Sequence, residues 1–126
     1  RDLENNNFEV VRRDTQEKDF VPGNELINHI PGLLDDIQEN IFNQAKQRSK
    51  NNTFSVDDYK SFKKQLNDNP GFIYAHWDGT EETEKKIKDE TKATIRCIPL
   101  DYGSKPGKCM VTGKPSKGRV LFAKAY

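Results

Sequence analysis

The 126 residues are 33% hydrophobic and 33% charged, which leaves room for a thin core and contains no apolar run long enough to span a bilayer. The formal net charge of +1 hides a gradient: residues 1–23 hold four Lys/Arg against six Asp/Glu, whereas residues 101–126 hold six Lys/Arg against Asp101 alone. Two cysteines, Cys97 and Cys109, are no disulfide framework and read as buried, reduced thiols of a cytosolic protein.

The opening Arg1-Asp2-Leu3-Glu4 lacks an initiator Met and runs into an Asn5-Asn6-Asn7 turn. Phe8–Arg13 then reads as a strand, Asp14–Glu17 as a turn and Lys18–Val21 as the returning strand. Two strands do not stand alone in water, so this hairpin is expected to be the remnant of a sheet whose other strands lie upstream. Pro22-Gly23 breaks the pattern and Asn24 is a good N-cap. Leu26, Ile30, Leu33, Leu34, Ile37, Ile41 and Ala45 follow at helical spacing, a stripe that predicts a long helix to about Ser49. Pro31-Gly32 predicts a kink, or a short helix followed by a longer one. His29 falls off the stripe, in a solvated or capping position.

Asn51-Asn52-Thr53 is expected to end this helix, and Ser55-Val56-Asp57-Asp58 to open the next as an acidic capping box stapled by Phe54 and Tyr59. Val56, Tyr59, Phe62 and Leu66 form its apolar face up to the Asn69-Pro70-Gly71 stop. A strand over 71–77, a helix over 80–91 and a strand over 93–100 come next, followed by strands over 108–112 and 119–126. In the helix, Glu81–Lys85, Glu82–Lys86 and Glu84–Lys88 are i,i+4 pairs worth ~0.3–0.5 kcal/mol each, and Ile87 is its one clear core residue. Alternation places Ala93, Ile95 and Cys97 on one strand face. Tyr126 ends an apolar strand pattern with no polar tail, which predicts that the last residues are packed or docked. The fold class is α+β: a hairpin remnant (1–22), a helical connector (23–69) and a small α/β domain of about four strands (70–126).

Motifs for chemistry fail one by one. Gly107 and Gly113-Lys114 are one residue too far apart for a phosphate loop, and Pro115 stands where the magnesium-binding hydroxyl belongs. A structural zinc site needs two close pairs of Cys or His, and Cys109 with Thr112 is half of one. His76 beside Trp77 reads as packed or solvated. The basic end admits an RNA-binding or protein-interaction module, but its loops show no interleaved aromatics for stacking bases.

Thr91–Pro99, Gly107-Lys108-Cys109, Gly113-Lys114-Pro115 and Arg119–Tyr126, together with Ala75–Gly79, resemble the C-terminal domain of prolyl-tRNA synthetases of the archaeal/eukaryotic type. Arg1–Glu4 and Val11–Thr15 resemble the closing strands of that family's anticodon-binding domain. The resemblance spans essentially the whole chain. It implies a parent that is a class II aminoacyl-tRNA synthetase, a cytoplasmic homodimer that activates proline with ATP and Mg²⁺ and transfers it to tRNA(Pro). The catalytic residues lie in a domain outside this chain, against which the C-terminal domain packs with Tyr126 directed at the active site. Arg1, Arg12, Arg13 and Lys18 become the candidate tRNA contacts. Many members hold zinc with four cysteines; here Trp77 and Glu82 or Thr83 stand near the first pair's places and Cys109 with Thr112 at the second's, so the resemblance implies a lost site. Trp77 is then the expected apolar filler.

Overall fold

A computed structural model describes residues 6–124. They divide into two compact units, Arg1–Ser49 and Lys50–Tyr126, and the content is α+β as the alternating patterns require.

In the first unit, β1 (Asn7–Val11) and β2 (Lys18–Pro22) pair antiparallel, with Phe8 opposite Val21 and Val10 opposite Asp19. Val21 is buried, whereas Phe20 and Val11 are exposed. Helix α1 (Leu26–Asn51) runs unbroken through Pro31 and Gly32, where the sequence predicts an interruption. Proline removes one N–H and crowds the preceding turn. At Pro31 the missing bond is the one to Ile27, within the first two turns, and the helix has about twenty further residues over which to propagate. No residue of α1 is fully buried, and Ile27, Leu34, Ile41 and Phe42 are exposed.

The second unit is a four-stranded sheet of order β3-β4-β8-β5 with two helices. Strand β3 (Thr53–Ser55) lies where the sequence shows only a helix end and a cap. It is held by its parallel neighbour β4 (Phe72–His76), with Phe54 opposite Ile73, and three residues are too few to display an alternation. Helix α2 (Tyr59–Asp68) is capped by Asp58, whose carboxylate accepts the Ser61 N–H at 2.9 Å. The cap therefore sits three residues later than Ser55, because Phe54 and Ser55 are spent on the strand. Helix α3 (Glu81–Thr91) is capped by Thr80 and closes on Lys92 in the left-handed region.

Strand β5 (Ala93–Cys97) stops before Pro99. The expected strand over 108–112 is instead a small hairpin: β6 (Gly107–Lys108) pairs with β7 (Pro115–Ser116) around a tight turn in which Gly113 N–H bonds Cys109 O. Strand β8 (Arg119–Lys124) enters between β4 and β5, antiparallel to both.

Two successive crossovers in one direction, β3-α2-β4 and β4-α3-β5, put both helices on the same side of the sheet. Phe62 and Leu66 from α2 and Ile87 from α3 meet Ile73, Ala75, Ala93, Val120 and Phe122 from the strands there. The Phe62 and Phe122 rings pack edge to face with centroids 5.3 Å apart. A bulge between Ile95 and Cys97 lets Ile95 face Phe122 while Cys97 pairs with Leu121. The extra residue, Arg96, reverses the alternation, so Cys97 is exposed and only Cys109 is the buried thiol that the sequence predicts for both.

The buried Phe122 lies on the central strand and touches the helix layer. Phe122→Ala is expected to cost about 3–5 kcal/mol, read as a lower denaturant midpoint for the second unit at unchanged m-value.

Candidate functional site

The cations of the hairpin differ in what they are free to do. Arg12 forks onto Asp14, with Nε at 3.1 Å from Oδ1 and Nη2 at 2.9 Å from Oδ2, and Asn40 of α1 donates to the same carboxylate at 2.6 Å. The Arg12 and Asn40 hydrogen bonds hold the Asp14 carboxyl far below the usual carboxylate range. This makes Arg12 a brace between the β1–β2 turn and α1. Lys18 reaches Glu9 across the hairpin at 2.5 Å. Arg13 is exposed and pairs with no carboxylate among the described residues. Arg1 and Tyr126 lie outside the described residues.

In the second unit the polar groups converge on Asp78, the second residue after β4. Its Oδ1 accepts the Thr80 hydroxyl at 2.9 Å; its Oδ2 accepts the Thr83 hydroxyl of α3 at 3.0 Å and the Thr112 hydroxyl of the 109–113 turn at 2.8 Å. One carboxylate thus ties the end of β4, the start of α3 and the β6–β7 turn. Burial acts to raise its pKa, and the bonds from Thr112, Thr80 and Thr83 outweigh that and hold it below the ordinary value.

The expected degenerate zinc positions are partly united by this carboxylate. Thr112 and Thr83 meet on Asp78, Cys109 is buried at the root of the turn, and Glu82 is exposed on α3. Trp77 is half-buried against the core and donates its indole N–H to Thr80 O at 3.1 Å, so it is a lid on the core's edge rather than a buried filler. Among the described residues no three His, Cys, Asp or Glu side chains are grouped to hold a metal. Asp78 itself escaped the sequence reading. The available signal was an acid two residues before the Thr80 cap, a pattern common in ordinary turns.

His76 is buried and sealed. Its Nδ1 lies 3.2 Å from Ser116 Oγ, whose proton is committed to Gly118 O at 2.8 Å, so Nδ1 is the donor to the serine. Gly107 presses on the ring: a Cβ there would stand 2.4 Å from Nε2. The histidine is a packing element, as expected from its neighbours.

The model of the family described as "Prolyl-tRNA synthetase, C-terminal" matches residues 59–126, more than half of the chain. The chain belongs to that family. Relatives named proline–tRNA ligase match at 62% identity in Cytophaga hutchinsonii, 59% in Porphyromonas gingivalis and 56% in Parabacteroides distasonis, each over 126 residues and all of this chain. The chain spans about a quarter of their length, 26%, 25% and 25% respectively. The prolyl-tRNA synthetase match covers α2, the four-stranded sheet except β3, and the Asp78 cluster, and leaves the hairpin and α1 to the relatives.

The depressed Asp78 carboxyl stabilises the fold fully above the ordinary carboxylate range, and that contribution is lost as pH falls through the folded value. The second unit should therefore melt at lower temperature below about pH 4, and Asp78→Asn should flatten that dependence. Thr112→Val, which removes one arm, is expected to cost about 1 kcal/mol by thermal melting at neutral pH.

Proposed function

We propose that this chain is the non-catalytic, carboxy-terminal part of a proline–tRNA ligase, supporting the tRNA and the catalytic domain of a parent that joins proline to tRNA(Pro) with ATP and Mg²⁺. The observation that carries the reading is full-length similarity to relatives bearing that name, at a quarter of their length. In this reading residues 1–22 close an anticodon-binding domain, 23–69 connect, and 70–126 form the C-terminal domain. The parent is a cytoplasmic homodimer, and Tyr126 approaches its active site.

Among the hairpin cations, Arg13, and Lys18 on release from Glu9, are the ones we assign to the tRNA backbone. Arg12 keeps its fork on Asp14, and releasing it would strand a carboxylate whose side chain is 2% exposed. Lys18 exchanges Glu9 for phosphate at small cost, since an exposed ion pair is worth little. In the full synthetase, Arg13→Ala should weaken tRNA(Pro) binding several-fold and lower the slope of log affinity against log salt by about 1. Arg12→Ala should mainly lower the stability of the hairpin. Unchanged tRNA affinity in Arg13→Ala, measured by filter binding over a salt series, would remove Arg13 from the interface.

The Asp78 cluster, in this reading, takes over the cross-link that four cysteines and zinc supply elsewhere in the family. Chelator should then leave the melting temperature of the chain as purified unchanged, while a zinc finger would lose its fold. One tightly held zinc per chain by elemental analysis would overturn the assignment.

A further inference from the structure

Folding supplies what the basic loops lack in sequence. Tyr102 lines two adjoining clefts: one of about 660 Å³ with Trp77, Pro106, Pro115 and Lys117, and one of about 260 Å³ with Tyr74, Pro99 and Lys105. Three aromatic side chains from positions 74, 77 and 102 are thus brought beside the lysine-rich segment. Lys105, Lys108, Lys114 and Lys117 are exposed and enter no ion pair among the described residues.

The rings are held in place. The Trp77 indole is fixed by its bond to Thr80 O, and the Tyr102 backbone N–H bonds Pro99 O at 2.9 Å. Gly118 lies against the Tyr102 ring, where a Cβ would stand 2.9 Å from Cδ2. The cleft carboxylates are Asp78, already covered by three hydroxyls, and Asp101. Arg119 also lines the smaller cleft, but its guanidinium is bound to Val56 O and Asp57.

We propose that this pair of clefts is a contact surface for single-stranded RNA, with unpaired bases stacking on Trp77 and Tyr102 and phosphates meeting Lys105 and Lys117. Aromatic faces beside unpaired cations are the requirement for such a strand, because every base has a π-face and every linkage a charge. A duplex offers the phosphates but keeps its bases stacked inside, and an acidic peptide offers charge with no flat group for the clefts. The inference rests on the tRNA reading above for the source of the strand, which is an unpaired segment of the parent's own tRNA.

Trp77 is the only tryptophan in the chain, so its fluorescence reports on the larger cleft directly. Short single-stranded oligoribonucleotides titrated into the 126-residue chain should quench it saturably. Tyr102→Leu should weaken binding by about tenfold, while Tyr102→Phe retains it. The double variant Lys105→Ala/Lys117→Ala, which alters only exposed side chains, should lower the salt slope by about 1.4. Equal quenching by duplex RNA or by polyglutamate would overturn the proposal, as would an unaltered salt slope in the lysine variant. If the oligonucleotide leaves Trp77 unquenched while the full synthetase still binds tRNA and Arg13→Ala weakens it, this inference falls and the broader reading stands. If the oligonucleotide binds as expected but the full synthetase shows no tRNA(Pro) affinity, the broader reading falls instead.

Discussion

Strand β8 stands between β4 and β5, and the backbone bonds that unite those two strands pass through it. The strand brings Val120 and Phe122 to the helix side of the sheet, where both are fully buried. Without Phe122 the edge-to-face contact with Phe62 disappears, and α2 loses its largest partner. The preceding residues matter as well: Ser116 and Gly118, just upstream of β8, seat the His76 ring and the Tyr102 ring. Core, sealed histidine and aromatic clefts all follow from one inserted strand.

Around that frame the second unit uses polar groups where a larger core would use methyl groups. Asp78 gathers three threonine hydroxyls, and Glu90 receives Lys63 at 2.5 Å and Tyr59 at 3.2 Å, which ties α3 to α2. Burial first, then the charge of Glu90, pushes the Tyr59 phenol up to about 12. Among the described residues Glu90, rather than Glu81, Glu82 or Glu84, is the α3 carboxylate that closes an ion pair. The three i,i+4 lysines stay in water, as exposed pairs on a helix commonly do. A chain with 33% hydrophobic residues is held together partly by such short polar ties.

Elements set by local pattern were legible. The apolar stripe gave α1, the Glu-before-Lys pairs gave α3, and the apolar run Val120–Ala123 gave β8. What escaped depends on partners distant in the chain. Thr53–Ser55 becomes a strand only because β4 lies beside it, and Arg96 becomes a bulge only because Cys97 must meet Leu121. The hairpin cations illustrate the same limit for the candidate site. Arg12 and Arg13 are equivalent letters, and their difference comes from Asp14 and from Asn40, 26 positions beyond Asp14. Asp78 has no such mark in the sequence either, because Thr83 and Thr112 reach its one oxygen only in the folded chain.

The placement of β8 also sets a schedule for synthesis. Residues 53–97 leave the ribosome first, and they include β3, β4, β5 and both helices. Yet β4 and β5 cannot join until residues 119–124 have emerged, so a half-built sheet waits with an unpaired edge and an uncovered Ile73 and Ala75. Such an edge is a template for wrong pairings. In the folded chain the segment between β5 and β8 carries the exposed Lys105, Lys108, Lys114 and Lys117, and charge of this kind is what disfavours edge-to-edge pairing.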